Sequence, residues 1–203
     1  MTMAGEQLVR LRVECPWDRE QTHQSLLTHL VEEACEVVDA VEQGTDADLL
    51  EELGDLLLQV YFHAQIAEDE GRFTLDDVAR GIADKLIRRH PHVFGGGEVP
   101  ENLRQTWEQS KRQEKGRTSS LDGIAQAMSS LARTQKVIAR ARSHEVPIEF
   151  PDEPVTADEV GERIQVLIAR AQASGVDADA AVRAALRGLE ERIRQAEGVA
   201  GGE

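Results

Sequence analysis

From Thr22 to about Gln43, apolar side chains recur at Leu27, Leu30, Val31, Ala34, Val37, Val38 and Val41. Steps of three and four residues place them on one side of an amphipathic helix. Thr22 or Ser25 is suited to cap its start, and Gly44 to end it. A second helix is expected from about Ala47 to Glu70, opened by Asp46 and Asp48 and closed by Gly71. Its run from Leu53 to Ala67 is so apolar that a central position follows. Thr74 with Asp77 three places on resembles a capping box. The helix behind it aligns Leu75, Val78, Ile82 and Leu86 and stops before Pro91.

Beyond Gly95-Gly-Gly and Pro100, a polar helix is expected over Asn102–Lys115 and another over Leu121–Ser143. Pro147, Pro151 and Pro154 mark a break, and helices over about Ala157–Ala173 and Ala178–Glu197 finish the chain. The last carries a thin apolar stripe of Val182, Leu186, Leu189 and Ile193. No alternating pattern competes, so the fold class is all-α.

Composition agrees. Of 203 residues, 40% are hydrophobic, enough for a buried core, and 3% are aromatic, which is poor for a β-sandwich. The formal charge of -15 repels phosphate backbones, so nucleic acid is not an expected partner. No apolar run is long enough for a membrane span, and Met1–Arg10 has no signal-peptide hydrophobic region. Two cysteines cannot form a disulfide framework; Cys35 reads as a small core residue, and a cytoplasmic setting is expected. The charge is also segregated: residues 1–70 carry -14, 71–145 carry +5 and 146–203 carry -6. Such blocks suit a cation held by the first and an anion gripped by the second, or else are solvated faces.

The acidic block contains the candidate chemistry. Glu32-Glu33-Ala-Cys-Glu36 stands on the first strong helix and Glu52-Leu-Gly-Asp55 on the second. At three-residue spacing, Glu33 and Glu36 share one helix face, as do Glu52 and Asp55. The short link at Gly44 makes the helices antiparallel neighbours, so four carboxylates can converge. Burying two of them in an apolar helix without partners is costly. All-oxygen ligation selects Mg²⁺ or Mn²⁺, and with it metal-assisted phosphoryl chemistry. A solvent-facing acidic stripe is the plain alternative. A di-iron centre needs two Glu-x-x-His elements, and only Glu20-x-x-His23 is present.

The basic counterpart is Lys85, Arg88 and Arg89 on one helical face, suited to polyphosphate oxygens or simply to solvent. His90-Pro-His92 reads as a loop turn with a packed histidine. Trp107, with Lys111 one turn later, could stack a base beside a cation or anchor its helix.

Four separated motifs occur in order: Cys15-Pro-Trp-Asp18, the paired acidic signature, Asp84-Lys-Leu-Ile-Arg-Arg-His-Pro-His-Val-Phe94, and Trp107-Glu-Gln-Ser-Lys111. Together, from about Leu8 to Ile148, they resemble the MazG nucleoside triphosphate pyrophosphohydrolases. The resemblance implies Mg²⁺-dependent hydrolysis of nucleoside triphosphates between the α- and β-phosphates, as nucleotide-pool housecleaning, with Mn²⁺ a possible substitute. It implies Glu33, Glu36, Glu52 and Asp55 as metal ligands and Glu32 as an acid just outside that set or a water-orienting residue. It assigns Lys85, Arg88 and Arg89 to the triphosphate, and Trp107 and Lys111 to the nucleotide. It further implies a homodimer and a division into a domain at 1–148 and a helical extension at 149–203. Longer members carry two tandem copies of the module and this chain carries one. A catalytically weak nucleotide-binding or protein-interaction module that keeps the metal site is therefore the second reading.

Overall fold

The computed structural model describes residues 3–99, 102, 103, 107, 110, 114 and 116–198. Among them are nine helices and no strand, which makes the protein all-α. The helices are α1 (Met3–Glu14), α2 (Pro16–Glu20), α3 (Leu27–Gln43), α4 (Asp46–Asp69), α5 (Leu75–Arg89), α6 (Pro91–Phe94), α7 (Ser130–Ser143), α8 (Ala157–Ala173) and α9 (Ala178–Ala196). No helix among the described residues is long and apolar enough to cross a membrane. Backbone packing separates two units, 1–97 and 98–203, a boundary that falls in the glycine-rich stretch inside the 1–148 span.

In the first unit, α3 and α4 form an antiparallel pair joined by Gly44 and Thr45 alone. Gly44 is required by close approach: a Cβ there would stand 2.8 Å from the Ala40 Cα and carbonyl oxygen. Thr45 then caps α4. Its Oγ1 accepts from the Asp48 N–H at 3.3 Å, while its own N–H donates to the Asp48 carboxylate at 2.7 Å. Gly71, at φ 70°, closes the helix. The expected box at Thr74 and Asp77 is present.

The first strong helix starts at Leu27, later than its polar prelude suggests. Thr22 and Ser25 spend their hydroxyls on each other's backbone N–H groups, forming a separate turn. That turn is tied to α4, because the His23 and His63 Nδ1 atoms lie 2.7 Å apart with the rings stacked. Arg12 on α1 fastens the same end: it donates to the Asp69 carboxylate at 2.9 Å and to the carbonyls of Asp18 and Gln21. Leu8, Leu26, Phe62 and Ile66 form the core there.

The burial expected for α4 is met only in its C-terminal half, where Gln59, Phe62, Ala64, Ile66 and Ala67 are buried. Leu53 and Leu57 are about half exposed, and on α5 so are Ile82 and Leu86. The apolar rows are where the periodicity places them, but among the described residues of the unit nothing covers these faces. Cys35 is likewise exposed rather than in the core, since it lies on the outer side of α3. His90-Pro-His92 opens a single helical turn, with the His90 Nδ1 2.7 Å from the Leu86 carbonyl.

In the second unit, Leu103, Trp107, Ser110 and Glu114 have helical backbone; the other positions of the expected Asn102–Lys115 helix, Asn102 apart, lie outside the described residues. The expected Leu121–Ser143 helix is confined to α7. Gly123 adopts a φ of 71°, breaking the run, and Ser129 provides the cap. The stripe of α9 is substantial: Leu186, Leu189 and Ile193 bury against Val137, Ala141, Ile124 and Val146.

Within that core the Arg133 guanidinium donates to the Glu190 carboxylate at 2.6 Å, with both side chains about nine-tenths buried, and to the Ile124 and Ala125 carbonyls. Arg133→Met leaves the buried Glu190 carboxylate with only the more distant Arg194 guanidinium, 3.9 Å away, so urea denaturation should show a loss of about 3 kcal/mol. Glu190→Gln, which still accepts a hydrogen bond, should lose less.

Candidate functional site

The carboxylates meet because of helical phase. On α3, Glu33 and Glu36 are separated by about 60° around the axis, and on α4 so are Glu52 and Asp55. The Gly44–Thr45 link brings the start of α4 back along the end of α3. Oxygens of Glu33, Glu36 and Glu52 consequently lie within 4.8 Å of one another. Glu33 and Glu52 are half-buried and Glu36 is exposed. Asp55 stands outside that closest group, yet its charge is the largest electrostatic influence on Glu33.

This is an uncomfortable arrangement for anions. Partial burial raises the Glu33 pKa above its ordinary 4.5, and the charges of Asp55, Glu36 and Glu52 and a side-chain hydrogen bond with Glu36 raise it further. Partial burial also raises Glu52, helped by Glu36, Glu51, Asp55 and Asp48. The largest charge effects on these two groups come from other carboxylates.

The donors suit a hard divalent cation. Oxygens opposite each other about Mg²⁺ are about 4.2 Å apart, so a spread of 4.8 Å closes with a small side-chain adjustment. Asp55 is placed to join as a fourth carboxylate. Glu32 turns elsewhere: it is exposed, with its Oε2 3.6 Å from the His29 Nδ1. Lys85, Arg88 and Arg89 all lie in the last turns of α5, with Lys85 and Arg89 half-buried. Trp107 belongs to the 98–203 unit and is half-buried; Lys111 lies outside the described residues.

One residue of this region was given no role from the sequence. Trp17 is 53% exposed, and its ring meets His29 and Phe62 edge-on, with centroids 6.2 and 6.5 Å away. The available signal was the spacing of His29, Glu33 and Glu36, which places the histidine one turn before the acids on the same face.

The fold and site thus define a helical protein with an oxygen-donor cluster on an antiparallel pair. The family profile described as the MazG nucleotide pyrophosphohydrolase domain matches residues 21–94, which include the three clustered acids, Asp55 and the cationic end of α5. The chain is 47% identical to the "Nucleoside triphosphate pyrophosphohydrolase/pyrophosphatase MazG" of Thermotoga maritima, over 60% of this chain and 49% of that protein. It is 40% identical to the "Nucleoside triphosphate pyrophosphohydrolase" of Mycobacterium tuberculosis, over 95% of this chain and 59% of that protein. A third relative, an uncharacterized 26.1 kDa protein in the blaB 3' region of Streptomyces cacaoi, is 42% identical over 95% of this chain and 81% of its own length. The chain belongs to the MazG family of nucleotide pyrophosphohydrolases. It spans less than two thirds of either named hydrolase.

The crowded acids make a testable contribution to stability. A raised carboxyl pKa means that the folded state binds the proton more tightly than the unfolded state does. The contribution is therefore fully present below the ordinary value of 4.5 and is lost as pH rises through the raised values. In metal-free buffer, Glu33→Gln should resist urea better than the parent protein at pH 7, and the advantage should vanish below pH 4.5. Added Mg²⁺ should raise the melting temperature of the parent more than that of the variant.

Proposed function

We propose that this chain hydrolyses nucleoside triphosphates, ribo- or deoxyribo-, between the α- and β-phosphates, releasing a nucleoside monophosphate and pyrophosphate. The observation that carries the reading is the convergence of Glu33, Glu36 and Glu52, from two helices, to within 4.8 Å. The names borne by the Thermotoga and Mycobacterium relatives support it.

Glu33, Glu36, Glu52 and Asp55 would hold Mg²⁺, with Mn²⁺ as a substitute. Bound there, the ion would polarise phosphoryl oxygens and offset the charge that builds on them. Glu32, next to Glu33 in the chain and 3.6 Å from His29, is given the role of orienting the attacking water by family likeness alone. Lys85, Arg88 and Arg89 supply positive charge to the β- and γ-phosphates. Trp107 and Lys111 are assigned to the nucleotide by family likeness alone.

A homodimer is part of the same proposal. Leu53, Leu57 and Val60 on α4, and Val78, Ile82 and Leu86 on α5, are each between 39% and 50% exposed. Apolar rows of this kind, at helical spacing on the unit that carries the site, fit a self-complementary interface between two copies. Ile82→Asp disturbs little within one chain and should halve the sedimenting mass. An unchanged mass would reject this interface.

The hydrolysis itself is tested by pyrophosphate release from a panel of nucleoside triphosphates with Mg²⁺, repeated with Glu36→Ala and Asp55→Ala. Each substitution should lower turnover by about a hundredfold or more. Undiminished rates in both variants would reject the assignment, and tight binding without turnover would favour the binding-module reading.

A further inference from the structure

Trp17 is held firmly and yet left open. Pro16 begins α2, Asp18 beside it is buried, and the Trp17 carbonyl accepts from the Gln21 side-chain amide at 2.8 Å. On its other side the Asp18 carbonyl accepts from Arg12 at 2.9 Å. The rings of His29 and of buried Phe62 stand at 70° and 87° to the indole plane, while 53% of the residue stays exposed.

Those two ring neighbours fix where the indole sits. His29 is four residues before Glu33, hence about 6 Å along α3 and within about 40° of its direction. Phe62 is seven residues after Asp55, hence about 10 Å along α4 and within about 20° of its direction. Because the helices are antiparallel, the N-terminal direction on α3 and the C-terminal direction on α4 are the same. Both phases place Trp17 at one end of the seam that carries the carboxylates. A phosphate chain held over the acids would present its sugar and base within reach of that end.

We propose that the exposed part of the Trp17 indole receives the nucleobase of the substrate. The inference rests on the nucleotide-hydrolysing reading and adds a determinant to it. An indole stacks on purines and pyrimidines alike, so the site is expected to tolerate base identity while requiring that a base be present.

The experiment uses the full chain with Trp17→Ala and Trp17→Phe, the second keeping an aromatic ring against Phe62. Steady-state pyrophosphate release from ATP, GTP, CTP and UTP should show KM raised about tenfold in the alanine variant for every base. The change in kcat should stay within about twofold, and phenylalanine should recover most of the loss. In a Trp107→Phe background, where Trp17 is the one remaining indole, tryptophan fluorescence should be quenched by AMP and not by pyrophosphate, and the AMP-dependent signal should disappear when Trp17→Phe is added. An unaltered KM, or equal quenching by pyrophosphate, overturns the proposal. So does a change in sedimenting mass with KM intact, which would make Trp17 a contact between copies. If the parent releases no pyrophosphate, the hydrolysis reading fails by itself. The AMP quench and its loss in Trp17→Phe then still decide the role of the indole.

Discussion

Repulsion among like charges is the constraint around which the first unit is organised. Glu33, Glu36 and Glu52 would separate if their helices were free to slide or splay, since the largest charge effects on Glu33 and Glu52 come from neighbouring carboxylates. The link prevents this. Gly44 turns so tightly that no side chain fits against Ala40, and the Thr45–Asp48 box fixes where α4 begins. Register between the two helices, and hence the meeting of the acids, is set within two residues.

A link that tight needs an anchor at the far end of the pair, and the burial of α4 shows where it is. Its C-terminal half buries Phe62, Ile66 and Ala67, and is fastened from outside by Arg12 and by the His23–His63 contact. The N-terminal half leaves Leu50, Leu53 and Leu57 exposed. The pair is therefore rigid at the Trp17 end and open at the acidic end. Such a division suits a site that must admit a charged ligand while keeping its donors preorganised.

How much could be read in advance depends on the range of the interaction involved. In the first unit α3, α4 and α5 follow from apolar periodicity, and the Thr74 box from four adjacent residues, whereas α1, α2 and the short α6 are not expected from the sequence pattern. The convergence of the acids follows from spacing plus a short link, both of them local. Failures begin where local groups have two choices of partner: Thr22 and Ser25 satisfy each other instead of capping α3, and Gly123 delays α7 to Ser130. Periodicity shows which face of α4 and α5 is apolar, but not whether the same chain covers it. For the same reason the exposure of Trp17 is invisible in Cys15-Pro-Trp-Asp18. It depends on Phe62 and His29, which are distant in sequence.

The second unit provides the comparison that gives the acidic cluster its meaning. There a buried acid, Glu190, is matched by Arg133 at 2.6 Å, and Glu197 is held by the Ser119 hydroxyl and the Ser120 N–H. Those hydrogen bonds hold Glu197 below its ordinary pKa despite burial, whereas Glu33 and Glu52 are raised. One chain thus contains acids whose needs are met by protein groups and acids whose needs are not. Folding alone gives no reason to hold the second kind together, because parting them would lower the energy. In the proposed function, a divalent cation held by these carboxylates would supply that reason.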